Sequence, residues 1–243
     1  MQIIRVYETS STNNYASSFI AENKVDEGTV FHTYRQLQGR GQGENRWESE
    51  HDSNLTFSLV LHPGFLTPAD QFLISQAVSL GIADFLGRMV AEVSVKWPND
   101  LLIAKRKVAG VLMEHTIAGN SLLHTIVGIG VNINQTHFAP FKPEATSLAL
   151  TTGCAYDTEV LLPELYEALM NRYSQLQAGD VHGIENDYLS KLYGFEQSNR
   201  FSANERIFEG KIRGIDRFGH LLVEEKSGTI NQWQFKEITL LWD

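Results

Sequence analysis

The sequence predicts an α+β domain followed by a small all-β domain, and three observations carry that expectation. Strand-like and helix-like stretches alternate irregularly up to about residue 195. From Phe201 onward only short strands and turn signals remain. At 243 residues with 42% hydrophobic side chains, the chain can bury one large core and one small one.

Met1 to Tyr7 reads as a strand, and Ser11-Thr12-Asn13 then offers capping side chains to a short helix ending near Glu22. Thr29 to Leu37 returns to strand character. A glycine-rich loop, Gly39 to Gly43, precedes Leu55 to Leu61, whose apolar and β-branched run reads as a buried strand. Thr67-Pro68-Ala69-Asp70 combines a capping residue, proline at the first helical position and an early acid, so a helix is expected from there to about Arg88. Its Phe72, Leu73, Ala77, Leu80, Ile82 and Phe85 fall mostly on one face.

Val93 to Lys96, Asp100 to Ala104, Lys107 to His115 and Leu122 to Ile129 suggest strands joined by short turns. A helical region from Glu159 to Tyr193, interrupted near Gly179 to Gly183, closes the larger domain. Asp216-Arg217-Phe218-Gly219 and Glu225-Lys226-Ser227-Gly228 are turn signals of a small β-barrel of roughly fifty residues. The expected division is residues 1–195 and 196–243.

Composition narrows the function classes. No apolar run approaches the ~20 residues that span a bilayer, and Met1-Gln2-Ile3-Ile4-Arg5 lacks the pattern of a secretory signal, so a cytoplasmic protein is expected. The net charge of −9, with no block of Lys or Arg, disfavours nucleic acid as a partner. One cysteine, Cys154, excludes an internal disulfide and a cysteine-based metal cluster; it is expected to be a buried, inert thiol.

Four segments could carry chemistry. In Gly39-Arg40-Gly41-Gln42-Gly43-Glu44-Asn45-Arg46-Trp47, alternating glycines let backbone N–H groups approach phosphate oxygens, with Arg40 and Arg46 supplying charge. It matches neither the P-loop nor the dinucleotide fingerprint, and a plain surface loop is the competing reading. Lys96-Trp97-Pro98-Asn99-Asp100 places a cation, a rigid corner and two oxygen-bearing side chains within five residues, suited to a triphosphate and a hard cation; an ordinary turn is the alternative. Lys107, opening Lys107-Val108-Ala109-Gly110-Val111-Leu112-Met113-Glu114, needs an anionic partner if it is buried and is only a strand-end charge if it is not. Gly128-Ile129-Gly130-Val131-Asn132 ends a strand in an asparagine able to bond a ribose or phosphate oxygen, or simply to turn the chain.

In this order and at these spacings, the four segments resemble the catalytic domain of biotin protein ligases. Ser11-Thr12-Asn13, Gln36 and Ala145-Thr146-Ser147-Leu148 extend the resemblance, which covers nearly the whole chain. It implies a mixed-sheet catalytic domain of the biotin/lipoate ligase type with a C-terminal SH3-like barrel. It also implies biotin and ATP as substrates, Mg²⁺ as cofactor, and the lysine of a biotin carboxyl carrier protein as acceptor. Biotin is then expected against Ser11, Thr12, Asn13, Gln36, Gly39, Arg40, Gly41, Lys107 and Gly110. The nucleotide is expected against Arg40, Gln42, Arg46, Trp47, Lys96, Asn99, Asp100 and Asn132. Lys107 is the expected principal catalytic cation, aided by Arg40, and Asp100 is the candidate contact for Mg²⁺.

Gln42 departs from the second arginine that many family members carry, which puts tight retention of the activated intermediate in question. The strand that opens the catalytic domain begins almost at residue 1, so a monofunctional ligase without a DNA-binding domain is expected, as a monomer or homodimer. A lipoate or octanoate transferase of the same superfamily, and a biotin-binding module without turnover, are the rival readings.

Overall fold

The computed structural model describes residues 1–140 and 142–242. Its larger part is a seven-stranded sheet in the order β1-β2-β5-β9-β8-β7-β6. The strands are β1 (Ile3–Thr9), β2 (Val30–Gln36), β5 (Leu55–Leu61), β6 (Val93–Lys96), β7 (Asp100–Ile103), β8 (Arg106–Ala118) and β9 (Ser121–Val131). β1 runs parallel to β2 across the helix α1 (Thr12–Glu22), and the remaining neighbours are antiparallel, so the sheet is mixed. A short β3 (Gly39–Arg40) and β4 (Arg46–Trp47) pair on their own and turn the glycine-rich segment into a hairpin.

β5 is buried at all seven positions, as its unbroken apolar run requires. Because strand side chains alternate, Phe57, Leu59 and Leu61 enter the main core with helices α2 (Phe72–Gly87) and α4 (Thr158–Gln177). Thr56, Ser58 and Val60 face the other way; Val60 packs with Ala16, Phe31 and Ile126 in a smaller core under α1. That second face carries the polar residues described below.

Several local expectations are corrected. The segment after Thr67 forms a 3-10 turn, Pro68–Asp70, before α2 starts, and the Thr67 hydroxyl donates to the Asp70 carboxylate at 2.6 Å instead of capping a backbone amide. The helical region, by contrast, is interrupted where expected, as α4, capped by Asp157, and α5 (Val181–Lys191), capped by Asp180 through Gly183 N–H. A five-residue helix α3 (Leu148–Thr152), capped by Ser147, was not anticipated. Cys154 follows it just past Gly153 and is exposed, not buried, because the chain leaves the helix outward through a left-handed glycine.

Residues from Ser198 form the strands β10 (Ser198–Ala203), β11 (Arg206–Ile215), β12 (Leu221–Glu225), β13 (Ile230–Trp233) and β14 (Ile238–Leu240). They make one antiparallel sheet in the order β13-β12-β11-β10-β14, bulged between Ile212 and Gly214. The Trp97 indole N–H donates to Gly219 carbonyl at 2.9 Å, tying this small sheet to the large one. Among the described residues no helix is long and apolar enough to cross a membrane.

Candidate active site

A cleft opens on the α1 face of the large sheet. Its floor consists of side chains that share a face by register: Thr56 opposite Gly130, Ser58 opposite Gly128, and across β8 Gly110 opposite Gly130 and Leu112 opposite Gly128. The glycines create the depth. A Cβ on Gly128 would sit 2.5 Å from Asn13 Oδ1, and one on Gly130 would overlap the indole of Trp47.

One end is polar, with a single ion pair between Arg40 and Glu114. Ser11 begins α1, yet its side chain caps nothing; the first helical amide, Thr12 N–H, donates to Gln36 Oε1 at 2.9 Å instead. The Ser58 hydroxyl lies 2.8 Å from Thr12 Oγ1 and 2.5 Å from Asn13 Oδ1. Asn13 Nδ2 donates to Glu114 at 2.7 Å, and the same carboxylate holds Arg40 in two bonds of 2.9 and 2.6 Å. Thr12, Asn13 and Ser58 are nearly inaccessible to solvent, so the network is fixed by burial as well as by bonding.

The other end is cationic. Lys107 Nζ lies 2.6 Å from Asp100 Oδ1, and Lys96 Nζ approaches the other oxygen of Asp100 at 3.4 Å. Lys107 is largely buried and has the anionic partner that burial demands. Its backbone is held on both sides, N–H to Glu144 carbonyl at 2.7 Å and carbonyl from Thr146 N–H at 2.8 Å. Lys142 and Arg46 also line the cleft.

Trp47 divides this cleft from a second hollow. Its indole lies over Gly110 and Gly130 with Lys107 Nζ 5.7 Å from the ring centroid, and its buried N–H finds no acceptor. Beyond it the second hollow is lined by Phe138, Ala139, Pro140 and Ala145, together with Asn132 and Gln135. Asn132 Nδ2 donates to Thr146 carbonyl at 3.0 Å, while its buried Oδ1 has no partner.

The cleft therefore gathers Ser11, Thr12, Asn13, Gln36, Arg40, Gly41, Gln42, Arg46, Trp47, Lys96, Asn99, Asp100, Lys107 and Gly110 from the sequence expectation. Gly39 lies in the adjoining hairpin, where a Cβ would meet Gln36 Nε2 at 2.6 Å. Asn132 belongs to the second hollow and not to the cleft. Asn99 is committed in part to structure, donating to Val111 carbonyl at 2.6 Å. Sequence reasoning missed Ser58, Lys142 and Phe235, and quoted Glu114 without a role. Phe235 is the clearest omission: it comes from the small sheet, stands edge-on to Trp97 with centroids 6.4 Å apart, and walls the cleft.

No group of three or more His, Cys, Asp and Glu side chains converges to hold a metal ion among the described residues. Asp100 has an ammonium at each oxygen. The protein groups thus do not make a divalent-cation site by themselves.

The model of the biotin/lipoate A/B protein ligase family matches residues 6–132, and that of the biotin protein ligase C terminal domain matches residues 200–238. The bifunctional ligase/repressor BirA of Bacillus subtilis (strain 168) is 31% identical over 225 residues, covering 90% of this chain and 68% of that protein. The biotin--[acetyl-CoA-carboxylase] ligase of Paracoccus denitrificans is 31% identical over 202 residues, 79% of this chain and 82% of the other. A biotin protein ligase from Aquifex aeolicus in complex with biotin and ATP superposes with a TM-score of 0.81 at 25% identity, covering 100% of this chain and 99% of that one.

Proposed function

Because the chain belongs to the biotin/lipoate A/B protein ligase family, we propose that its cleft joins biotin to ATP and passes the biotinyl group to a protein lysine. The observation that carries this reading is the polarity of the cleft: buried neutral hydrogen-bonding groups at one end, three lysines and Arg46 at the other. A neutral ureido ring suits the first end and a carboxylate meeting a triphosphate suits the second.

In the first half-reaction the biotin carboxylate attacks the α-phosphorus of ATP, and pyrophosphate leaves. Two anions must approach, so the main task is to cancel their repulsion before reaction. Lys107, in the cationic end, is already oriented by Asp100 and would meet the carboxylate and the α-phosphate together. Arg40 would exchange its contact with Glu114 for the phosphate, and Lys96, Arg46 and Lys142 would hold the remaining charge. Thr12, Asn13, Gln36 and Ser58, with Ser11 and Gly39 to Gly41 beside them, would hold the biotin ring. Trp47 would pack against the adenine, with Asn99, Gln42 and, from the second hollow, Asn132 on the nucleotide. Mg²⁺ would enter with the nucleotide and supply charge neutralisation there, and Asp100 is the carboxylate of the cleft lining that could contact it.

In the second half-reaction the lysine amine of a biotin carboxyl carrier protein attacks the acyl carbon. The amide forms, the bond from the acyl carbon to the phosphate oxygen breaks, and AMP departs. Division near residue 195 would assign the adenylation groups to the larger part and the Phe235 wall to the smaller one.

The test is biotin-dependent exchange of labelled pyrophosphate into ATP, with lipoate and octanoate as competing acids. Exchange with biotin alone supports the reading; exchange with the longer acids instead favours the transferase of the same superfamily, and exchange with none overturns ligation.

A further inference from the structure

The loop between β13 and β14 places a lysine where the backbone favours glycine. Gln234-Phe235-Lys236-Glu237 is a tight turn, closed by Glu237 N–H on the Gln234 carbonyl at 3.1 Å and by Gln234 N–H on the Glu237 carboxylate at 2.8 Å. Its third residue, Lys236, has φ 73°, a left-handed value that strains any residue with a Cβ and that glycine adopts freely. Ala104-Lys105 and Asn204-Glu205 have such values as well, but they fill the two-residue hairpins of β7–β8 and β10–β11, whose geometry demands them at both positions. In the turn at Lys236 only the one residue is left-handed.

The Lys236 side chain leaves the small sheet and ends on the glycine-rich hairpin. A Cβ on Gly43 would lie 2.6 Å from both Cε and Nζ of Lys236, so the end of the lysine fills the space that a side chain at Gly43 would need. Gly43 is itself left-handed, φ 69°, at the hairpin tip. The base of the hairpin is anchored to the large sheet, through Arg40 on Glu114 and Trp47 over Gly110 and Gly130. The backbone bonds of the tip stay inside the hairpin: Gly41 N–H to the Asn45 carbonyl at 2.8 Å and Asn45 N–H to the Gln42 carbonyl at 3.4 Å. From Gly41 to Asn45 the sequence has an acid, Glu44, and no cation. The turn thus reaches the site twice, with Phe235 in the wall of the cleft and Lys236 on the hairpin tip.

Resting on the ligase reading, we propose that Lys236 is a positioning residue that holds the tip of the glycine-rich hairpin shut over the acyl adenylate. The adenylate is a mixed anhydride, destroyed by water and lost by diffusion whenever the hairpin opens. A tip bonded mainly to itself opens at little cost in free energy, so one contact from outside changes the open fraction directly. The ammonium also gives the tip the positive charge that its own residues lack. Lys236 touches no reacting atom and acts through the hairpin alone. Its left-handed backbone is tolerated because the two bonds of the turn fix it.

Three full-length proteins test this: wild type, Lys236→Gly, which removes the side chain and suits the turn, and Lys236→Arg, which keeps a cation on a long stem. They are compared in biotin-dependent pyrophosphate exchange, in release of labelled AMP from biotin and ATP without acceptor, in tryptic cleavage after Arg40 and Arg46 located by mass, and in denaturation midpoint. In Lys236→Gly, AMP release and hairpin cleavage should rise about three- to fivefold, the size of a contact made by an exposed lysine. Exchange should stay within about 1.5-fold, and the midpoint should be unchanged or higher because glycine relieves the left-handed backbone. Lys236→Arg should match wild type throughout. Unchanged AMP release in Lys236→Gly with intact exchange overturns the clasp and leaves the ligase reading standing. A lower midpoint with a parallel loss of exchange makes Lys236 a docking residue of the small sheet and also overturns it. So does AMP release from Lys236→Arg as fast as from Lys236→Gly. Absence of exchange in wild type removes the ligase reading itself, and the clasp with it.

Discussion

Lys107 and Asp100 are joined at 2.6 Å on adjacent strands, so the cation at the centre of the cleft is fixed in place before any substrate arrives. Orientation in advance is what makes a charge useful to a transition state. Lys107→Ala should lower the rate of pyrophosphate exchange by about 10²–10³, the usual effect of removing one stabilising group. Stability should change little, because Lys96 remains beside Asp100. Single-turnover formation of the adenylate measures this directly; a variant as fast as wild type would assign the central role elsewhere.

Glu114 restrains Arg40 and orients Asn13 at once. Both partners of the Arg40 pair are more than a third exposed, so the pair itself adds at most about 1 kcal/mol to folding. Glu114→Ala should therefore cost folding no more than about 1 kcal/mol while weakening biotin binding about tenfold through loss of the Asn13 contact. Calorimetric titration with biotin alone provides the comparison.

Gly128 has no room for a methyl group, since its Cβ would meet Asn13 Oδ1 at 2.5 Å. Gly128→Ala should push Asn13 out of the network and cost about 1–3 kcal/mol in biotin affinity, tenfold or more. ATP binding, measured separately, should be less affected.

Acid should destabilise the fold through its buried histidines. Burial, the largest influence, pushes the His32 pKa below its ordinary 6.5, and His115 and His124 shift the same way. The unfolded chain then binds more protons than the folded one, so stability rises with pH in that window. The loss begins as pH falls through 6.5 and stops growing below the folded values. Denaturant midpoints measured from about pH 7 to 5 should decline, and His32→Gln should remove part of the slope. A flat profile in wild type would contradict this assignment.

The parts legible in the sequence are those encoded locally. β5 announces itself because every one of its seven side chains is buried and therefore apolar or small. The segments around Arg40, Lys96 and Lys107 could be recognised because each combines unusual residues within a few positions. By local pattern Ser11-Thr12-Asn13 offered only capping groups, and only the family resemblance made them expected biotin contacts; folded, Thr12 and Asn13 engage Gln36, Ser58 and Glu114. Those contacts cross 24 to 101 positions, which local spacing cannot express. Phe235 was invisible for the same reason, as one aromatic among many until the two sheets are docked. Cys154 was misjudged because burial was inferred from residue type, whereas the direction of the chain after Gly153 decides it.

The Trp97 bond to Gly219 spans 122 positions of the chain. On the ribosome the groups that bind and activate the acid are all made by residue 142, yet Phe235, the last wall, emerges much later. Until Gly219 is made the Trp97 indole lacks its acceptor, and until Phe235 follows one side of the cleft lacks its wall, so the site is complete only when two distant stretches of chain have both been made.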